Sequence, residues 1–125
     1  MIKLVALLKR KPGMSREEFI AHYEMRHVPL AMQLTAIGHD YRRNYPHTVR
    51  SDGQEIDAAP EYDAITEVWF HDQRAYEAFS ASMKTPQIRE CIVADEEQFL
   101  DRASSRIFIV EEYVSESPRL SVSRT

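Results

Sequence analysis

His22, Tyr23 and His27 lie within residues 15–30 (SREEFIAHYEMRHVPL), the stretch of the chain best furnished for proton transfer. An imidazole titrates near neutrality, so it can take a proton from a carbon acid or a phenol and return it elsewhere. Isomerisation, dehydration and decarboxylation all require that exchange. Phe19, Tyr23 and His27 recur every four residues, about 40° apart around a helix axis, which sets a ring, a phenol and an imidazole in one row. His22 precedes His27 by five residues, roughly 140° around an α-helix, so the two imidazoles are expected on different faces and not as a pair. The plainer alternatives are that His27 caps carbonyls at a helix end and that His22 pairs with a carboxylate or faces solvent.

Two carboxylates are candidates to work with His27. Residues 62–70 (YDAITEVWF) alternate as a strand, with Asp63, Ile65, Glu67 and Trp69 on one face and Tyr62, Ala64, Thr66, Val68 and Phe70 on the other. On a half-buried face, Glu67 or Asp63 would orient a histidine or hold its protonated form. The alternative is a structural ion pair with Arg42, Arg43 or Arg106. Tyr23, Tyr41, Tyr45, Trp69 and Phe79 are candidates to line an apolar pocket that stacks on a planar substrate, with Tyr45 and Trp69 the preferred pair.

Other chemistries find less support. The five histidines show no metal-binding spacing, so no metal site is expected. Cys91 reads as a small buried hydrophobe, and the run Asp95-Glu96-Glu97 as a solvated helix face. Glycine is scarce at three residues, which argues against phosphate-cradling loops.

These residues need elements to position them. Ser15 with Glu18 three residues later forms a capping box that starts the first helix, and Pro29 is expected to end it. A short helical continuation would then be stopped by Gly38. Residues 2–9 read as a strand apolar on both faces, residues 41–46 as a second strand and residues 106–114 as the last. Asp72 caps a helix carrying Tyr76, Phe79 and Met83, and Thr85-Pro86 opens another. Residues 47–60 read as a polar loop or a loose hairpin, and residues 115–125 as a tail or an exchanging arm.

The order is therefore strand, helix, strand, strand, helices, strand: an α+β, ferredoxin-like, four-stranded antiparallel sheet with helices on one face. A first strand apolar on both sides asks for a second covering, and a homodimer supplies it. The 125 residues form one domain, residues 1–114, with the tail beyond it. Twenty acidic against sixteen basic side chains give a formal charge of −4, and no basic cluster carries interleaved aromatics, so no nucleic-acid partner is expected. One cysteine, no signal peptide and no membrane-spanning run point to a cytoplasmic protein.

Three blocks, KRKPGMSREEFIAHYEMRHVPLA, DAITEVWF and DEEQFLDRA, resemble the EthD-domain family. The first, with its F-x-x-H-Y-x-x-x-H-x-P-L pattern, is the most specific, and the resemblance covers residues 1 to 114. It implies the dimeric α+β barrel superfamily, in which two such sheets pack face to face. That superfamily includes methylmuconolactone isomerases, polyketide cyclases, decarboxylases and dehydratases, cofactor-free monooxygenases, and accessory proteins of ether degradation. The resemblance also implies a pocket between helices and sheet, with His27 on the motif histidine and Asp63 and Glu67 on the acidic strand positions. This chain departs from its relatives by a longer 50–60 segment and by its tail.

The expected function is a cofactor-independent lyase or isomerase acting on a small aromatic, lactone or polyketide-like molecule. His27, Glu67 and Asp63 would be its catalytic groups, and Tyr23, Tyr45, Trp69, His22 and Phe79 its substrate contacts. The alternatives are a cofactor-free monooxygenase of a phenol or anthrone and a non-catalytic binding or accessory protein.

Overall fold

Ser15 fixes where the first helix begins. Its hydroxyl accepts from the Glu18 amide at 3.1 Å, and the Ser15 amide donates to the Glu18 carboxylate at 2.9 Å, so both halves of the capping box are made. In this computed structural model, which describes residues 1–116, the helix opens there as α1 (Arg16–His22). It does not stop at Pro29. A π-helical turn, Tyr23–His27, follows α1 without a break and leads into α2 (Val28–Leu34).

The amide of Val28 donates to the carbonyl of Tyr23, five residues back. A proline within a regular α-helix collides with the carbonyl four residues earlier, and the wider π turn relieves that collision. The helix continues until Thr35, whose backbone is extended.

Four strands, β1 (Ile2–Leu8), β2 (Asp40–Asn44), β3 (Ala64–Phe70) and β4 (Arg106–Val110), form one antiparallel sheet in the order β2-β3-β1-β4. With α3 (Gln73–Lys84) and α4 (Pro86–Phe99), this is the α+β, ferredoxin-like arrangement expected. Asp72 caps α3 by accepting from the Ala75 amide at 2.9 Å. The strand expected over residues 106–114 ends at Val110, and most of the 115–125 tail lies outside the described residues.

The register divides the sheet into two faces. Leu4 pairs with Val68, Ala6 with Thr66 and Leu8 with Ala64, and these point toward the helices. Lys3 pairs with Trp69, Val5 with Glu67 and Leu7 with Ile65 on the opposite side, which no helix covers among the described residues. Phe19, Tyr23, Val28, Phe99 and Leu100 close the core over the helix-facing strand residues.

Gly38 carries the chain from α2 to β2 so close to β3 that a β-carbon there would sit 2.2 Å from the Trp69 carbonyl oxygen. Only glycine fits that crossing. Among the described residues, no helix is long and apolar enough to cross a membrane.

Candidate active site

The π turn decides how the two histidines sit. In a π turn, residues five apart come nearly into line, so His22 and His27 face the same neighbour across the interhelical contact. That neighbour is Asp95 on α4. His22 Nε2 lies 2.9 Å from Asp95 Oδ1, and His27 Nδ1 lies 2.8 Å from Asp95 Oδ2. The expectation that the imidazoles stand on different faces is thus corrected, because it assumed an unbroken α-helical period.

All three side chains are nearly buried, at 10%, 11% and 13% exposure for His22, His27 and Asp95. An ionised carboxylate accepts, so each imidazole donates its facing N–H. The other nitrogen of each ring is left as an acceptor. Phe99 walls the pair: His22 stacks on it at 4.6 Å between centroids, and His27 packs against it at 5.1 Å.

His27 borders a cavity of about 270 Å³ between the helices and the sheet. Its Nε2 has no partner among the described residues, which hold no fully buried side-chain nitrogen or oxygen without one. That nitrogen is therefore accessible, and its ring lines the cavity. Leu4, Ala6, Val68, Phe79, Met83 and Ile92 form much of the apolar wall.

Three of the hydroxyl-bearing residues that line the same cavity are linked to one another. Tyr23 Oη and Thr66 Oγ1 are 2.6 Å apart, and Tyr41 Oη donates to Tyr23 Oη at 3.3 Å. Burial pushes both phenols above the ordinary tyrosine value, Tyr23 against the opposing pull of its two hydrogen-bonded neighbours. Both remain protonated and able to donate.

A second polar cluster lies beside the cavity. Arg43 holds Glu24 through Nη2–Oε1 at 2.7 Å and Nε–Oε2 at 3.0 Å, and the Tyr45 hydroxyl donates to the same carboxylate. The Arg43 guanidinium keeps the Glu24 carboxyl below the usual range, and burial, with Glu24 beside it, pushes the Tyr45 phenol up.

Of the residues expected from sequence, His27, His22 and Tyr23 come together, and Phe79 lines the cavity with His27 and Tyr23. Glu67 does not join them. It lies on the uncovered sheet face, bound to Lys3 at 2.8 Å and Asn44 at 3.0 Å, and Lys3 holds its carboxyl low. Thr66, its neighbour in sequence, is the β3 residue that faces Tyr23. Trp69 shares the Glu67 face, under Lys3 Nζ at 4.5 Å and Arg42 Cζ at 5.1 Å.

Asp63 is buried and does not line the cavity. It accepts from the Arg10 amide at 2.8 Å and pins the start of β3 to the end of β1. Tyr45 packs edge-on against Phe19 and Tyr23 instead of bordering the cavity. The carboxylate beside His27 is Asp95, in the acidic run expected to be a solvated helix face, and not Glu67. A signal for Asp95 existed: it falls three residues after Ile92 and four before Phe99, the buried row of α4. Cys91, expected to be buried, is exposed. Among the described residues, no group of three or more His, Cys, Asp or Glu is arranged to hold a metal ion.

Fold and site together define a ferredoxin-like α+β domain in which two histidines share one carboxylate beside an apolar cavity. The chain belongs to the EthD domain family, whose profile matches residues 11–103. No curated protein matches it. Among solved structures, it is similar to an ethyl tert-butyl ether D (EthD) family protein from Bacillus halodurans, BH0200. The TM-score is 0.62 at 20% identity, over 90% of this chain and 99% of that one. It is also similar to an EthD-like protein from Ralstonia eutropha, with a TM-score of 0.55 at 19% identity over 94% and 96% of the two chains. HapK from Hahella chejuensis aligns with a TM-score of 0.56 at 12% identity, over 94% and 97%. At these identities the likeness concerns the fold.

Proposed function

We propose that the protein is a small cofactor-independent lyase or isomerase that moves a proton on a small enolisable molecule held in the cavity. The observation that carries this reading is the Asp95–His27 pair at the cavity wall, with Nδ1 tied to the carboxylate at 2.8 Å and Nε2 without a partner among the described residues. Nε2 takes a proton from a carbon next to a carbonyl. The imidazolium that forms is balanced by Asp95, whose other oxygen is held by His22. A hydroxyl from Tyr23 or Thr66 donates to the enolate oxygen, and the proton on Nε2 then returns to a second carbon or to a leaving hydroxyl. The first outcome is isomerisation and the second dehydration.

The protein would act as a homodimer. Ile107, Ile109 and Phe108 of β4 are 65%, 54% and 47% exposed, an apolar edge strand uncovered on both sides that a second copy would bury.

A hydroxylated α-tetralone tests the catalytic reading, since loss of water yields a fluorescent naphthol. Naphthol should form well above the buffer rate with the wild-type protein. If this compound and a panel of related hydroxyketones all remain unconsumed by folded protein, the reading is wrong.

A further inference from the structure

We infer that the cavity beside His27 takes a neutral keto or phenolic ring compound and rejects a carboxylate of the same shape. This deepens the acid–base reading by naming the class of ligand, and it rests on charge and geometry independent of turnover. Among the described residues lining the cavity, none is Lys or Arg, and the lining carboxylate is Glu96.

Two cations that touch lining residues are already engaged. Arg43, its Cζ 4.8 Å from the Tyr41 ring centroid, is held by two bonds to Glu24. Arg102 is held by Glu96 at 3.2 Å. His27, once protonated, is balanced by Asp95. An anion entering the cavity would lose its water, meet Glu96 at the wall and find no Lys or Arg among the described residues that line it. Burying a charge on those terms is strongly unfavourable.

A neutral oxygen meets the opposite situation. Tyr23 and Thr66 share a short hydrogen bond whose hydroxyls can turn to serve a ketone or a phenol, and Tyr41 backs them. The surrounding wall is aliphatic and aromatic, suited to the faces of a ring. A cavity of 150 Å³ lined by apolar groups admits a benzene, so about 270 Å³ suits a molecule of one to two fused rings.

The experiment compares β-naphthol with β-naphthoate at pH 8, where the first is neutral and the second anionic. Titration calorimetry gives the affinities, and chemical-shift changes at Thr66, Val68 and Met83 methyls locate the ligand. The naphthol should bind at those methyls at least tenfold more tightly than the naphthoate. Equal or tighter naphthoate binding there overturns the inference, as does failure of the naphthol to move those signals.

Glu96→Gln is a second arm. It removes the wall carboxylate and releases Arg102 from a partly exposed helix position, so naphthoate affinity should rise several-fold while naphthol affinity holds. If both affinities move alike, the charge argument is wrong. Because both arms read binding, a cavity that selects neutral ligands without converting any would contradict the catalytic proposal and leave this one standing.

Discussion

His27 Nδ1 stands 2.8 Å from Asp95 Oδ2, and the partner oxygen of that carboxylate is occupied 2.9 Å away by His22. One carboxylate thus locks two rings, and the lock exists because a π turn displaces one residue of helical phase between them. The catalytic proposal depends on this arrangement, and its consequences can be measured.

Asp95→Asn keeps the shape of the side chain and removes the charge that balances an imidazolium. Turnover of an accepted hydroxyketone should fall about 100-fold, the scale on which an oriented general base contributes. Thermal unfolding should show a fold retained near the wild-type midpoint. Undiminished turnover would mean that Asp95 holds the helices together and has no part in the chemistry.

His22 touches the carboxylate and not the cavity lining, so it acts through Asp95 as a positioning residue. His22→Ala should lower kcat about tenfold with KM little altered, the size typical of outer hydrogen-bond partners. His22→Gln, whose amide N–H reaches close to the place of Nε2, should recover most of that loss. Equal impairment of the two variants would point to lost stacking on Phe99 instead.

Much of the fold is legible in the sequence. Ser15 and Glu18 declared the helix start, the doubly apolar 2–9 segment declared a strand, and strand alternation separated Thr66 from Glu67 correctly. Alternation alone does not say which face the helices cover. Ala64, Val68 and Phe70 bring no charge to their face, whereas Glu67 lies on the other, so theirs is the buried one and carries Thr66 into the core.

The site was less legible than the fold. The π turn has no local signature beyond a proline tolerated where a helix should break, so the five-residue spacing of the histidines reads as α-helical. Asp95 was hidden by its acidic neighbours, which made a half-buried row look like solvated surface.

Glu24 gives a pH signature for stability. The Arg43 guanidinium, helped by the Tyr45 hydroxyl, lowers its folded carboxyl below the ordinary value of 4.5. A lowered folded value means the contribution is complete above the ordinary carboxylate value and is lost as pH falls through the lower one. Glu24→Gln should therefore be less stable than wild type at pH 7 in urea, and the gap should close below about pH 4. A gap independent of pH would show that the ion pair contributes nothing.

Phe108 tests the assembly. Wild-type protein should elute with the mass of a dimer in light-scattering chromatography, and Phe108→Asp should shift it toward the monomer. A monomeric wild type would leave the apolar edge of β4 to some other partner.

The most direct measurement is the exchange of the α-hydrogens of β-tetralone for deuterium, followed by proton NMR in deuterium oxide. It reads carbon-proton removal without knowledge of the natural substrate. Wild-type protein should accelerate exchange well above buffer, and His27→Gln, which keeps a hydrogen-bonding side chain but no basic nitrogen, should return the rate to that of buffer. Acceleration that survives His27→Gln would contradict the assignment of His27 as the base.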